Sequence, residues 1–220
     1  YNFAKVRKNN GGLIPCRKDF DFLSDNKNDL IKNFLSGEID GSVIFSLIKR
    51  KIISDNNIIF PNVIHEDIPV IFQVYFFSKK IIKVKDIIYY KVFRDSSIVN
   101  NLTEKRIRGI FSSFRSLLSF LKQKEGLKVD EFIPYYIRGF AGIVGGLILL
   151  NLKFYPNDVI QRQKVYNYIF KNIINDLNEK QMPNKTYKDK ICNLFYSTFK
   201  SSLHVKQNLE SFEKKISTLN

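Results

Sequence analysis

The sequence predicts an α/β region over residues 1–100 and an all-α region over residues 101–220. Two short runs rich in Val, Ile, Tyr and Phe, Lys80–Val84 and Ile87–Phe93, follow a helix-like stretch and suit a strand pair. From residue 101 onward, apolar residues recur at three- and four-residue spacing, which is typical of amphipathic helices. The change of pattern near residue 100 predicts a boundary between two domains.

The first region begins with mixed elements. We expect a short strand at Tyr1–Val6, a turn at Gly11–Pro15 and a helix near Asp29–Leu35. Ser36-Gly37 ends that helix in the usual C-terminal manner. A second helix is predicted from His65-Glu66-Asp67 to about Ser78, before the two strand-like runs.

The second region predicts four helices. The first carries a single apolar stripe, punctuated by basic residues, and its members are Ile107, Ile110, Phe111, Phe114, Leu117, Leu118 and Leu121. The others are expected at Val129–Leu152, interrupted at Pro134, at Asp158–Asn178 and at Lys185–Ser217. The Gly142-x-x-x-Gly146 spacing within the second helix predicts close helix packing in the core.

The charge of the chain favours anionic partners. The formal net charge is +15, and residues 101–220 hold 20 of the 36 basic residues but only 10 of the 21 acidic ones. No helix-turn-helix, zinc-finger or RNP pattern accompanies this charge, and the aromatic residues sit mostly in apolar runs, which argues against nucleic acid. An abundance of Asn, Lys and Ile is also typical of an AT-rich genome, so part of the charge reflects composition.

Cysteine use and the chain start predict a cytoplasmic protein. Cys16 and Cys192 are far apart and define neither a disulfide framework nor a metal site. The start has no initiator Met and no apolar leader, so we expect a segment of a longer polypeptide. The uninterrupted apolar run Gly139–Leu150 is shorter than the roughly 20 residues that a membrane span needs.

Three segments occur in an order that suggests a family. Gly41–Arg50 is a lysine-containing stretch, His65-Glu66-Asp67 opens a helix, and Tyr89–Ile98 is a Tyr/Arg-bearing run that ends in Ser-Ile. Together these segments span about 60 residues. Over residues 1–100 the chain resembles the acceptor-side, second half of family 2 glycosyltransferases with the GT-A fold. The resemblance implies an inverting transfer of a sugar from a nucleotide sugar to a surface-glycan or lipid-linked saccharide acceptor.

The resemblance also implies roles for individual residues. Asp67 would be the catalytic base that takes the proton of the acceptor hydroxyl, and Glu66 would orient the acceptor or the sugar. Arg94 would contact the departing diphosphate, since its planar guanidinium suits phosphate oxygens. His65, Ser97 and Lys49 would complete the substrate-binding set.

Several family features have no counterpart in this sequence. The Asp-rich metal motif and the βαβ nucleotide-binding unit, which normally precede this region, are not found. Asp19-Phe20-Asp21 lies in a charged turn and on the wrong side of the expected order. Val92 stands where the family has another arginine. The resemblance therefore implies a fragment that lacks its N-terminal, nucleotide-binding half, and whose Mn²⁺ or Mg²⁺ ligands lie outside this chain.

Each of these residues also has a structural interpretation. Acidic residues in the first turn of a helix are favoured by the helix dipole alone, Arg94 suits a solvated strand end, and His65 suits an ordinary polar neighbour. The alternative function is a non-catalytic basic helical module that docks on anionic membrane or on a partner protein. The helix at Thr103–Lys124, with its apolar stripe and basic residues, predicts weak peripheral attachment to an anionic membrane.

Overall fold

The computed structural model describes the backbone of residues 3–7, 13–15, 26–82, 87–92 and 101–178. The chain divides into two compact units, which we call the first and second units. The first comprises Tyr1–Asn101 with Gly109–Gly139, and the second comprises Leu102–Arg108 with Phe140–Asn220. The domain boundary predicted near residue 100 stays a prediction.

Three short strands form one small sheet. These are β1 (Phe3–Arg7), β2 (Leu13–Pro15) and β3 (Ile87–Val92). The strand order is β2-β1-β3, in which β1 pairs antiparallel with β2 and parallel with β3. A shift in register falls between Phe3 and Ala4. Part of the predicted turn at Gly11–Pro15 is therefore strand, and β3 takes β1 as its neighbour.

The predicted α/β half of a GT-A domain is wrong. Where the structure describes side chains, 67% of the residues are helical and none lies in a strand. The stretch 26–82 contains three helices, of which those near Asp29–Leu35 and after His65 were expected, and its residues 80–82, expected to begin a strand, are not a strand. The apolar side chains of residues 67–77 are buried by packing against other helices, so no sheet is needed to cover them.

Three helices lie in the first unit before residue 82. They are α1 (Lys27–Leu35), α2 (Arg50–Asp55) and α3 (Asp67–Phe77). The Asn26 side chain accepts hydrogen bonds from the amides of Asn28 and Asp29, which satisfies two donors at the start of α1. The positive φ of 81° at Gly37 ends this helix, as Ser36-Gly37 predicted.

Three longer helices follow residue 101. They are α4 (Glu104–Lys122), α5 (Ile133–Phe154) and α6 (Val159–Asn178). Pro134 lies in the first turn of α5, where its missing amide hydrogen breaks no intrahelical bond. The helix therefore begins at this point and is not interrupted by the proline. The predicted helix at Lys185–Ser217 lies outside the described residues.

Aromatic side chains dominate the core of the first unit. The Phe34 ring lies 5.2 Å from that of Phe72 and 5.8 Å from that of Tyr75, so α1 and α3 share one cluster. Phe120 of α4 contacts Phe72 edge-on at 5.9 Å, and Phe114 stacks on Tyr136 at 4.7 Å. These pairs add to the burial of the rings by about 0.5–1.5 kcal/mol each.

The apolar stripe of α4 belongs to this buried interior. Phe111, Phe114, Leu117, Leu118 and Leu121 are all buried. The stripe that predicted membrane attachment is therefore unavailable to a bilayer. The exposed face of α4 carries charged residues, as an ordinary amphipathic core helix would.

The second unit is built on α5 and α6. Its buried apolar residues include Phe140, Val144 and Leu147 of α5 and Val165 and Ile169 of α6. α5 is long and apolar enough to cross a membrane: its most apolar 18-residue stretch has a mean hydropathy of 1.5, and 44% of that stretch is buried. The core helix of a water-soluble protein can be equally long and apolar.

Close backbone approach occurs at different glycines from those predicted. A Cβ atom at Gly142 or Gly146 would meet nothing within 4 Å, so the predicted packing through the Gly-x-x-x-Gly spacing is wrong for the described residues. At Gly139 a Cβ atom would collide with the Leu35 carbonyl oxygen. Gly109 touches the segment that precedes α3 in a similar way. The Gly-x-x-x-Gly spacing lies in a helix, as predicted, but it does not show which glycines contact a neighbouring segment.

Candidate functional site

The segment before α3 is held in an unusual backbone conformation. His65 has a φ of 68°, the left-handed region that non-glycine residues rarely adopt. The buried Ser113 hydroxyl donates a 2.8 Å hydrogen bond to the His65 carbonyl oxygen. Gly109, also on α4, lies so close that a Cβ atom there would stand 2.6 Å from the Ile64 carbonyl oxygen. Two contacts from α4 therefore fix the backbone directly before the acidic pair.

The acidic pair stands at the first turn of α3. Glu66 occupies the N-cap position, where its side chain makes no capping hydrogen bond, and Asp67 is the first helical residue. Both side chains are half-buried. A Glu at this position that does not cap leaves its carboxylate available for another purpose.

Burial raises the pKa of the Asp67 carboxyl above its usual value. The neighbouring Glu66 charge raises the pKa further and that of Asp40 adds to it, whereas backbone hydrogen bonds at Asp67 and Ile68 lower it. Burial outweighs these hydrogen bonds because an ionised carboxylate loses hydration when it leaves water. Asp67 is therefore a stronger base than an ordinary surface aspartate.

Asp40 is fixed near this pair by the chain that leads into it. Its Oδ1 atom accepts a 2.8 Å hydrogen bond from the Ser42 amide. Gly41 then packs against Ile68 of α3, where a Cβ atom would stand 3.2 Å from the Ile68 Cγ1 atom. The structure thus brings together three acidic residues, of which the sequence identified Glu66 and Asp67.

Lys49 lies at the other end of α3. It borders a cleft of about 790 Å³ formed by α2, the C-terminal turn of α3 and the residues that follow it. Val74, the first α3 residue in this cleft, is seven positions after Asp67, or about 10 Å along the helix axis. The predicted substrate-binding Lys49 and the predicted base Asp67 therefore do not share one pocket.

The sequence reasoning missed three further lysines of this cleft. Lys51, Lys79 and Lys80 border it together with Lys49. A signal was present, because basic residues flank α2 and directly follow the apolar α3. What the sequence could not show is that α2 folds back so that both groups face one cleft.

The other predicted substrate residues, Arg94 and Ser97, lie outside the described residues, so their roles stay predictions. No group of three or more His, Cys, Asp or Glu residues suited to a metal ion occurs within the described ranges. The three carboxylates near α3 do not form such a group.

The arrangement near α3 can perform proton transfer. It offers a half-buried carboxylate with increased basicity, a second carboxylate beside it and a backbone fixed by α4. The cleft can perform a different task, the binding of an anion. Comparisons with protein-family models, with curated proteins and with solved structures find no match for this chain.

Proposed function

We propose that this chain supplies the acceptor side of an inverting glycosyltransferase, with Asp67 as the general base. One observation carries the proposal: burial raises the basicity of the first residue of α3, within the segment whose sequence resembles family 2 glycosyltransferases. The proposal needs no GT-A sheet around α3. On the acceptor side it requires an exposed edge of the Asp67 carboxylate and an acceptor hydroxyl beside it.

The proposed reaction is a single displacement. The Asp67 carboxylate takes the proton of the acceptor hydroxyl, and the acceptor oxygen forms a bond to the anomeric carbon of the donor sugar. The bond from that carbon to the diphosphate oxygen breaks on the opposite face, and the nucleoside diphosphate leaves with the electron pair. A positioned base contributes about 10²–10⁴-fold to such a step. Glu66 would hold a second hydroxyl of the acceptor or the sugar.

The fixed backbone before α3 supports this role. A positive φ at a residue other than glycine costs on the order of 1–2 kcal/mol and persists only where surrounding contacts impose it. The Ser113 hydroxyl and the close approach of Gly109 provide these contacts at His65. Such strain beside a carboxylate of raised pKa is characteristic of pre-organised sites.

The test compares two aspartates that each lie in the first turn of a helix. Asp29 lies in the first turn of α1 and is exposed, so Asp29→Asn is the matched control for Asp67→Asn. The assay protein is a polypeptide in which this chain follows a nucleotide-binding part, supplied with labelled nucleotide sugars and Mn²⁺. We expect Asp67→Asn to lower kcat by about 10² or more with donor binding nearly unchanged.

The control variant should keep its activity within a few-fold. Equal losses in Asp29→Asn and Asp67→Asn would assign both aspartates to helix stabilisation. Activity of Asp67→Asn close to that of the wild type would remove Asp67 from the base role.

A second candidate function is peripheral attachment to an anionic membrane. The observation that favours it is the corner between α5 and α6 in the second unit, which exposes four large apolar side chains: Leu149 (68% exposed), Leu152 (46%), Val159 (56%) and Ile160 (73%). The exposed Lys153 and Lys164 lie on the same two helix ends. Exposed apolar and basic side chains near the junction of two helices suit the boundary between headgroups and acyl chains.

The corner is fixed by hydrogen bonds. The buried Asn151 amide donates to the Arg162 carbonyl oxygen at 3.0 Å. The Arg162 guanidinium in turn donates to the Tyr155 carbonyl oxygen at 2.8 Å and to that of Pro156. These hydrogen bonds tie the loop backbone to α6, so the backbone at the corner needs little further ordering on binding.

Co-sedimentation with vesicles tests this candidate. We expect binding to anionic but not to neutral vesicles, decreasing as salt shortens the screening length. Val159→Ser/Ile160→Ser should reduce this binding, whereas the control Ile59→Ser/Phe60→Ser removes two exposed apolar side chains from the first unit and should not. Equal binding to both vesicle types, or equal losses in the two double variants, would contradict the candidate.

A further inference from the structure

The cleft at the C-terminal end of α3 has an apolar floor. Its floor residues Ile48, Ile52 and Phe77 pack against a small buried cluster of Ile58, Val70 and Val74. The exposed Leu47 and Ile82 extend the apolar surface at the rim. At about 790 Å³ the cleft falls within the roughly 300–1,000 Å³ of typical small-molecule sites.

The rim of this cleft is strongly basic. Four lysines border it, and all four are exposed: Lys49, Lys51, Lys79 and Lys80. Among the described residues that border the cleft, Asp55 is the single acidic one, and its Oδ1 atom accepts a hydrogen bond from the Ser54 hydroxyl at 3.2 Å. Within the described part of the chain, no carboxylate forms a salt bridge with any of the four lysines.

A rim of four lysines destabilises the protein when no ligand is bound. Four like charges around one opening repel one another, and this repulsion is relieved when an anion binds among them. An ammonium group binds phosphate oxygens through charge-assisted hydrogen bonds, which are about twice as strong as neutral ones. A hydrocarbon chain or ring would pack on the apolar floor, since each buried CH₂ group contributes about 0.8 kcal/mol.

We propose that this cleft binds an amphipathic phosphomonoester, with its phosphate between the lysines at the rim and its apolar body on the floor of Ile48, Ile52 and Phe77. A purely polar anion would leave the apolar floor in water. An uncharged amphiphile would leave the lysine charges uncompensated. The inference concerns the first unit alone and does not depend on the role of Asp67 or on the α5–α6 corner.

Calorimetry of the whole 220-residue chain with decyl phosphate tests the inference. We expect saturable binding with a Kd of about 1–100 μM, and binding at least tenfold weaker for inorganic phosphate and for decanol. Affinity for inorganic phosphate equal to that for decyl phosphate would overturn the role of the floor. Equal affinity for decanol would overturn the role of the lysines.

Two triple variants with the same loss of charge locate the site. Lys49→Gln/Lys79→Gln/Lys80→Gln should weaken decyl phosphate binding by about tenfold or more. The control Lys105→Gln/Lys128→Gln/Lys171→Gln changes three exposed lysines that do not border the cleft and should keep the affinity within about twofold. All six side chains are exposed, so we expect both variants to fold, which circular dichroism would check. Equal weakening in the two variants, or no saturable binding by the wild type, would overturn the proposal.

Discussion

The contact between Gly109 and the segment before α3 can be tested by adding one methyl group. In Gly109→Ala the new Cβ atom would stand 2.6 Å from the Ile64 carbonyl oxygen, whereas ordinary contacts begin at 3.4 Å. The two backbones must therefore separate by about 0.8 Å, and overpacking of this kind typically costs about 1–3 kcal/mol. Alanine offsets about 1 kcal/mol of this cost through its higher helix propensity. We expect a net loss of up to about 2 kcal/mol in the free energy of unfolding.

Gly142→Ala is the matched control for this substitution. Gly142 also lies within a helix, but no described residue stands within 4 Å of the position that its new methyl group would take, so we expect a gain of up to about 1 kcal/mol. Urea denaturation followed by circular dichroism gives both values. If Gly109→Ala were as stabilising as Gly142→Ala, the approach of α4 to Ile64 would not constrain the acidic pair. Gly109→Ala should also change the pKa of Asp67 in an NMR titration, because the backbone that precedes Asp67 must move.

Two further predictions concern Asp67 and the donor. Because the pKa of Asp67 is raised in the folded state, its stabilising contribution is present at low pH and is lost as the pH rises through the folded pKa. Asp67→Asn should therefore gain stability relative to the wild type as the pH rises above the usual aspartate pKa of 3.8. Denaturation of both proteins at several pH values measures this, and a stability difference that does not change with pH would contradict the raised pKa. Separately, the isolated 220-residue chain should bind uridine, guanosine and cytidine diphosphate sugars poorly in calorimetry with Mn²⁺. Micromolar binding of any of them would place a donor site within this chain.

The helices could be predicted because their signals are local. Asn26 precedes α1 as a cap and Gly37 follows it, while the spacing of Phe111, Phe114 and Leu118 reports one buried face of α4. The short α2 was missed, since six residues with several charges carry too little periodicity to be recognised.

The prediction of the fold class was wrong because the apolar segment that forms α3 suits two environments. The apolar α3 segment could lie under a sheet or between helices, and its residues alone do not distinguish these cases. Phe34 and Phe120, both distant from α3 in sequence, decide the matter by packing on Phe72. Such contacts depend on the tertiary fold and leave no pattern within the segment itself.

The candidate site was predictable in part for the same reason. Glu66 and Asp67 are adjacent in sequence, so their pairing at the start of a helix follows from local pattern. The contribution of Asp40 and the left-handed conformation of His65 depend on residues of other elements. The clustering of Lys49 with Lys79 and Lys80 likewise requires α2 to fold back on α3.

The pH dependence of sugar transfer tests the role of Asp67 most directly. With the wild-type residue, kcat should fall at acidic pH as the Asp67 carboxylate takes up a proton, with an apparent pKa above the usual aspartate value of 3.8. In Asp67→Asn the remaining activity, lower by about 10², should lose this acidic limb. An acidic limb that persists unchanged in Asp67→Asn would contradict the assignment and would identify another group as the base.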